Sequence, residues 1–93
     1  MRQYELMAIF PIEDDQQKAG REQLLADLAA NGAAVEKTDE MGDRDLCYEV
    51  KKQKRGKYVL FTIKAEPEKI TTLDRIFKLN AKLLKYLFVR IEG

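Results

Sequence analysis

Between Lys51 and Lys57 the chain places five lysines or arginines in seven residues, Lys51-Lys52-Gln53-Lys54-Arg55-Gly56-Lys57. Ammonium and guanidinium groups neutralise phosphate, so a stretch of this kind can hold a nucleic-acid backbone. It equally suits a solvated hairpin tip, where lysine discourages edge-to-edge strand pairing. A second basic group, Lys78, Lys82, Lys85 and Arg90, lies towards the C-terminus. Lys78 falls at a predicted helix end, where the dipole favours a cation; Lys82 and Lys85 have no such explanation. The residues so far nominated to meet phosphate are therefore Lys54, Arg55, Lys78, Lys82, Lys85 and Arg90.

The remaining reactive side chains do not assemble into a catalytic set. There is no histidine and a single cysteine, Cys47. That removes the commonest general base and leaves too few ligands for a zinc site. Cys47, in a predicted strand with no histidine to activate it, is expected to be a small buried apolar residue. Glu13-Asp14-Asp15 is explained by helix initiation, where acids oppose the positive helix end, and no complementary ligand set accompanies it. No enzyme activity, metal or cofactor is expected.

The sequence Arg55-Gly56-Lys57-Tyr58-Val59-Leu60-Phe61-Thr62 looks like the third-strand signature of RNA-recognition motifs. The likeness fails where bases would stack, because Lys57, Val59 and Thr62 stand at the three aromatic positions. Stacking of that type is not expected.

The elements that position these residues follow from apolar spacing. Tyr4 to Phe10 reads as a strand apolar on both faces, hence central, with Pro11 at its exit. Asp14-Asp15 open a helix from about Gln16 to Asn31, with Leu24, Leu25 and Leu28 as its stripe, helped by Ala29. Gly20 weakens that helix locally, and Asn31-Gly32 stops it. Ala33 to Val50 reads as extended, with a break near Gly42-Asp43. The basic turn and the strand Tyr58–Lys64 complete a hairpin. Pro67 opens a second helix whose Ile70, Leu73, Ile76 and Phe77 share a face. Leu83 to Ile91 is the last strand, with Leu87, Val89 and Ile91 on one side and Tyr86, Phe88 and Arg90 on the other.

The order β-α-β-β-α-β predicts an α+β, ferredoxin-like sandwich: one domain over residues 1–93, with a four-stranded antiparallel sheet and two helices on one face. The other face stays open. If Leu6, Ala8 and Leu87 face the helices, then Met7, Ile9, Tyr86 and Phe88 are the candidate partner-binding residues on it. Long Lys and Arg stems lying over that face are the alternative.

Composition agrees with a small soluble domain. Hydrophobic residues make up 45% and charged residues 35%. No apolar run approaches the roughly 20 residues that span a bilayer. The start, Met1-Arg2-Gln3-Tyr4-Glu5, is not a secretory signal, so a cytoplasmic location is expected, in keeping with one cysteine. Residues 1–49 hold 5 basic and 12 acidic side chains, residues 50–93 hold 12 and 4, so a net charge of +1 conceals opposed halves. Such asymmetry points towards nucleic acid.

With these elements in place, the ordered set of local sequences resembles the family of bacterial small-subunit ribosomal protein six. The carrying features are Arg2-Gln3-Tyr4-Glu5, Gly32-Ala33-Ala34-Val35-Glu36-Lys37, Met41-Gly42 followed by Arg44-Asp45-Leu46-Cys47-Tyr48, and Lys57-Tyr58 to Ile63. Leu73…Phe77-Lys78-Leu79-Asn80…Leu83-Leu84-Lys85-Tyr86-Leu87 completes it, so nearly the whole chain is covered. The resemblance implies a structural, ribosome-associated role, binding central-domain small-subunit ribosomal RNA together with ribosomal protein eighteen. It adds Arg2 to the RNA-binding candidates, and it places Lys78, Lys82 and Lys85 in a region that is basic in the family. Membrane and DNA are not expected as partners. Two departures stand out: Glu49 replaces a frequent proline, and the chain stops at Gly93, where family members often carry an extension that holds the partner. Contact with the partner is then expected through the sheet and its edges.

Two other classes share the strand order. A small-molecule-binding regulatory module of ferredoxin-like fold is the alternative function, although no glycine-rich effector loop is present. An acylphosphatase would need a glycine-rich phosphate cradle after the first strand, plus an arginine and an asparagine such as Arg21 and Asn80. Pro11-Ile12-Glu13-Asp14-Asp15 stands there instead, and its charges repel phosphate.

Overall fold

Alternation along β1 (Arg2–Phe10) decides the layers: Tyr4, Leu6, Ala8 and Phe10 are buried towards the helices, while Met7 between them is half-buried on the other side. The computed structural model describes residues 1–91, with side chains throughout except Cys47, so the expectation for Cys47 lies outside the described side chains. The elements follow as α1 (Asp14–Ala30), β2 (Ala34–Val50), β3 (Gln53–Ala65), α2 (Pro67–Phe77) and β4 (Lys85–Arg90).

Strand order is β2-β3-β1-β4, all neighbours antiparallel. Each β-α-β unit leaves a gap that a strand of the other unit fills, which is the ferredoxin-like arrangement predicted. In the core, Leu6, Phe10, Phe61 and Ile63 from the sheet meet Leu24 and Leu28 of α1 and Leu73 and Phe77 of α2. Full burial of each such side chain contributes about 1.5–3 kcal/mol.

Helix ends follow local chemistry. Glu13, not Asp14, occupies the N-cap of α1, and Asp14 and Asp15 lie within its first turn. Gly32, at φ 74°, closes the helix: its amide bonds the Ala29 carbonyl and the Ala33 amide bonds that of Leu28. Pro67 stands at the start of α2 as expected.

Two local readings change. The basic turn is shorter than its sequence implies. Val50 pairs with Gln53, so only Lys51 and Lys52 form the turn, and Lys54, Arg55 and Lys57 lie within β3. Both turn residues are left-handed, at φ 50° and 65°. A two-residue hairpin requires that conformation, which Asn-Gly adopts most readily. Ala29, expected to support the apolar stripe of α1, is exposed, because the stripe narrows to Leu24 and Leu28 with Leu25 beside them.

Gly20 is a contact rather than a flaw. It is buried where α1 crosses the connection between α2 and β4. A Cβ at this position would collide with the Lys82 carbonyl oxygen and stand 2.9 Å from the Lys82 Cβ. Asn80, also buried, ties the same place together: its Nδ2 donates to the Gly20 carbonyl at 3.3 Å and its Oδ1 accepts from the Lys82 amide at 3.0 Å. Alanine normally gains about 1 kcal/mol over glycine inside a helix. Here overpacking against backbone should dominate, so Gly20→Ala should lose about 1–3 kcal/mol. The midpoint of urea unfolding measures the change, and a midpoint that rises would show that the connection yields.

Candidate nucleic-acid and partner interface

β4 reads Lys-Tyr-Leu-Phe-Val-Arg, apolar at both parities, so its sequence cannot say which side faces the helices. Register decides. Residues directly opposite in an antiparallel pair share a face. Leu6 stands opposite Phe88, and Ala8 opposite Tyr86. Tyr86 and Phe88 therefore lie on the helix-covered face, which corrects the expectation that they belong to the open one. Their rings pack on Phe77, edge-on for Tyr86 at 5.5 Å between centroids and stacked for Phe88 at 5.7 Å.

The open face instead carries Met7 and Ile9 of β1, Tyr58 and Leu60 of β3, and Leu87 and Val89 of β4. Leu87 is 60% and Val89 47% exposed, so of these six they are the two most available to a partner. Met7 remains a candidate there, half-buried. Ile9 is only 6% exposed, because Gly56, Leu46 and Tyr58 close around it. Tyr58 in turn lies under the Arg44 guanidinium, 5.8 Å from its ring centre. Towards the start of β1 the face becomes polar, where Gln3 and Lys64 both reach the Glu36 carboxylate.

The seven basic candidates divide between the two ends of the sheet. Arg2 pairs with Ala65 and Arg90 with Tyr4, at the end where β1 begins. Lys85 pairs with Ile9 at the opposite end, and Lys54 and Arg55 lie beyond it on the hairpin. Along the strands Arg90 lies five residues from Lys85 and Arg2 seven from the same level, roughly 17 and 23 Å at the usual rise. No single phosphate reaches both. Arg55 is engaged by Asp45 at 3.1 Å and Lys78 by Asp74 at 3.2 Å. Lys82 is exposed beside the Gly20 crossing.

Lys51 was not among the nominated residues, yet it crosses the end of the fold. Its Nζ donates to the Leu83 carbonyl at 2.9 Å and reaches the Asn80 carbonyl at 3.4 Å. Only its membership of a basic stretch marked it in the sequence, because the contact joins positions about thirty residues apart. Two hollows flank this region. The larger, ≈ 360 Å³ between α1 and the α2–β4 connection, mixes Asp27 with Lys82. The smaller, ≈ 290 Å³, is lined by Lys51, Lys78 and Lys85 and no acid.

Charged groups nearby are held by neighbours. Arg21 forms a two-pronged bond to the Glu40 carboxylate, at 2.8 and 2.9 Å, and keeps Glu40 below the usual carboxylate range. The Tyr86 hydroxyl lies 2.7 Å from the Asp74 carboxylate and 2.8 Å from the Asp74 carbonyl. That bond, then the one from Lys78, holds Asp74 low. Burial, then the bond to Asp74, pushes the Tyr86 phenol up to about 12.

Known proteins resemble this chain over nearly its whole length. Residues 3–90 match the family model described as Ribosomal protein S6. The chain is 50% identical over 92 residues to small ribosomal subunit protein bS6 of Treponema denticola, covering 99% of both chains. It is 44% identical over 93 residues to bS6 of Treponema pallidum, covering all of both. Among solved structures, the crystal structure of 30S ribosomal protein S6 from Thermotoga maritima superposes with a TM-score of 0.83 at 19% identity, over 97% of this chain and 87% of that one. The C-terminal domain of MgtC from Mycobacterium tuberculosis superposes with a TM-score of 0.67 at 10% identity, over 100% and 90%, a likeness of fold alone.

The Tyr86–Asp74 bond gives a signed expectation. The folded state keeps the phenolic proton longer than the unfolded one, so the contribution is complete below pH 10 and is lost as pH climbs through about 12. Tyr86→Phe should lower the Tm at neutral pH, and its gap from the parent should close between pH 10 and 12. A gap unchanged across that window would separate the hydroxyl from stability.

Proposed function

The chain belongs to the ribosomal protein S6 family, and from that membership we propose that it is a structural constituent of the bacterial small ribosomal subunit that binds central-domain ribosomal RNA jointly with ribosomal protein eighteen. The match of residues 3–90 to the family, continued at 50% identity along a full-length relative named as a small ribosomal subunit protein, is the observation that carries this reading. The protein is accordingly not an enzyme, and it works on ribosomes in the bacterial cytoplasm. No described helix is long and apolar enough to cross a membrane.

The physical picture is shared neutralisation. With a net charge of +1, the protein brings few counter-charges of its own. What it offers is a rigid sheet with two basic ends. Leu87 and Val89, with Met7 beside them, supply an apolar strip for the protein partner, while Arg2 and Arg90 at one end and Lys54, Lys78, Lys82 and Lys85 at the other face RNA. Arg55, paired with Asp45, contributes less.

Binding to small-subunit ribosomal RNA should be weak for the protein alone. It should become tight and steeply salt-dependent once ribosomal protein eighteen is added, because each phosphate contact adds roughly 0.7–0.9 to the slope of log affinity against log salt. Filter binding across a salt series measures both. Equal affinity with and without the partner would count against joint binding. Leu87→Asp should weaken capture of the partner by at least tenfold while leaving the fold intact, since this side chain is 60% exposed; a pull-down titration reads it.

A further inference from the structure

We propose that the cavity at the hairpin end of the sheet holds a phosphate of one unpaired ribonucleotide, on Lys51, Lys78 and Lys85. The proposal rests on the RNA-binding reading above and assigns it a place and a leading residue, Lys51, which the sequence marks only as one cation of a basic stretch.

Three separate elements converge there. Lys51 comes from the β2–β3 turn, Lys78 from the residue that caps α2, and Lys85 from the first position of β4. They line a hollow of ≈ 290 Å³, with Phe77, Leu83 and Tyr86 among its apolar walls. Its lining residues include no acid, although the Asp74 carboxylate stands at its rim, bonded by Lys78 at 3.2 Å and by the Tyr86 hydroxyl at 2.7 Å, whereas the larger hollow has Asp27 in its lining beside Lys82. Asp74 holds Lys78 through a single 3.2 Å contact, which leaves donors of that ammonium for another acceptor. Lys85 has no ion pair or side-chain hydrogen bond among the described residues. The Lys51 ammonium is steadied by two carbonyls, and with three protons it keeps one donor for a ligand.

The backbone supplies an independent observation. Lys51 and Lys52 occupy the left-handed region, which disfavours residues bearing a Cβ. Asn-Gly would make the same two-residue turn without that conflict. Strain of this kind concentrates where a side chain is needed for function. The turn is built so that Lys51 reaches across to the α2–β4 connection, and the open hollow it borders, at ≈ 290 Å³, is comparable to the smallest small-ligand sites, about 300 Å³. A single nucleotide, its phosphate among the ammonium groups and its sugar against the apolar walls, fits that shape and charge.

The test measures the parent protein and its variants, with ribosomal protein eighteen, on small-subunit ribosomal RNA across a salt series. Lys85→Gln, which removes no described contact, and Lys51→Gln should each weaken binding about tenfold and lower the salt slope by about 0.7. Lys18→Gln and Lys37→Gln, equal in charge but on α1 and on β2, should change neither quantity. If all four variants weaken binding equally, or none does, the cavity is overturned while RNA binding stands. If the parent itself shows no salt-dependent binding, the RNA reading fails and this proposal falls with it. Adenosine monophosphate alone serves as a second probe: saturable binding of it in the micromolar range, lost in Lys85→Gln without any change in RNA affinity, would assign the hollow to a free nucleotide and overturn the RNA source.

Discussion

The zero exposure of Leu6, Ala8 and Phe10 along one face of β1 is the constraint from which the other surfaces follow. β1 is paired on both sides, with β3 and with β4, so it transmits its own facing to each neighbour through the antiparallel register. Leu6 opposite Phe61 and Phe88 makes a three-residue row that must lie under the helices. A slip of one residue in β4 would exchange Tyr86 and Phe88 for Leu87 and Val89 and turn the core row outward. The stack of Phe77 on Phe88 and the bond from Tyr86 to Asp74 both hold β4 against such a slip. The availability of Leu87 and Val89 to a partner is thus a consequence of what β1 buries.

A second set of contacts fixes the end of the sheet where most of the lysines gather. The α2–β4 connection has little regular structure, yet it is bound from three directions. Gly20 lets α1 approach the Lys82 carbonyl, Asn80 bonds back to Gly20, and Lys51 reaches over from the hairpin to the Leu83 carbonyl. Buried polar groups need partners, and Asn80 finds two. The result is a connection held almost as firmly as an element, so that Lys78 and Lys85 stand at set positions instead of on a free loop. Pre-positioning matters for long cationic side chains, because ordering them on binding costs side-chain entropy.

Much of the fold was legible because it rests on local signals. Element order, the central place of β1, the leucine stripe of α1, Pro67 at the start of α2 and the stop at Gly32 all follow from apolar spacing and backbone preference. The failures share a different cause. β4 is apolar at both parities, so only its pairing with β1 could assign Tyr86 and Phe88 to the core. Gly20 looked like a defect because helix propensity is local, whereas its role depends on a carbonyl some sixty residues away. Lys51 was one cation among five, and nothing near it in sequence shows that it bridges two connections. The basic turn looked long because a charged run containing a glycine lacks the apolar alternation of a strand, but strand pairing continues through Arg55 and Gly56. Of the seven basic candidates, composition located the cations and only the topology divided them between two ends.

That division bears on how so nearly neutral a protein can serve on RNA. The acids at the start of α1, the N-cap Glu13 with Asp14 and Asp15 of the first turn, follow the end of β1 that lies beside Lys85, so this end as a whole is not uniformly positive. At physiological salt, charges separated by more than about 8 Å are largely screened, so attraction for a phosphate at the proposed site would be set by the charges nearest it rather than by the average over the end. A protein arranged in this way would gain little from long-range attraction and much from a few fitted contacts. Its affinity for RNA would then depend on being delivered to the right place, which a basic partner docked on the Leu87–Val89 strip is suited to do. The opposed charges of the two halves of the chain are consistent with the proposed division of labour, in which acids would hold back indiscriminate binding by the free protein and lysines would act once a partner had brought the backbone within reach.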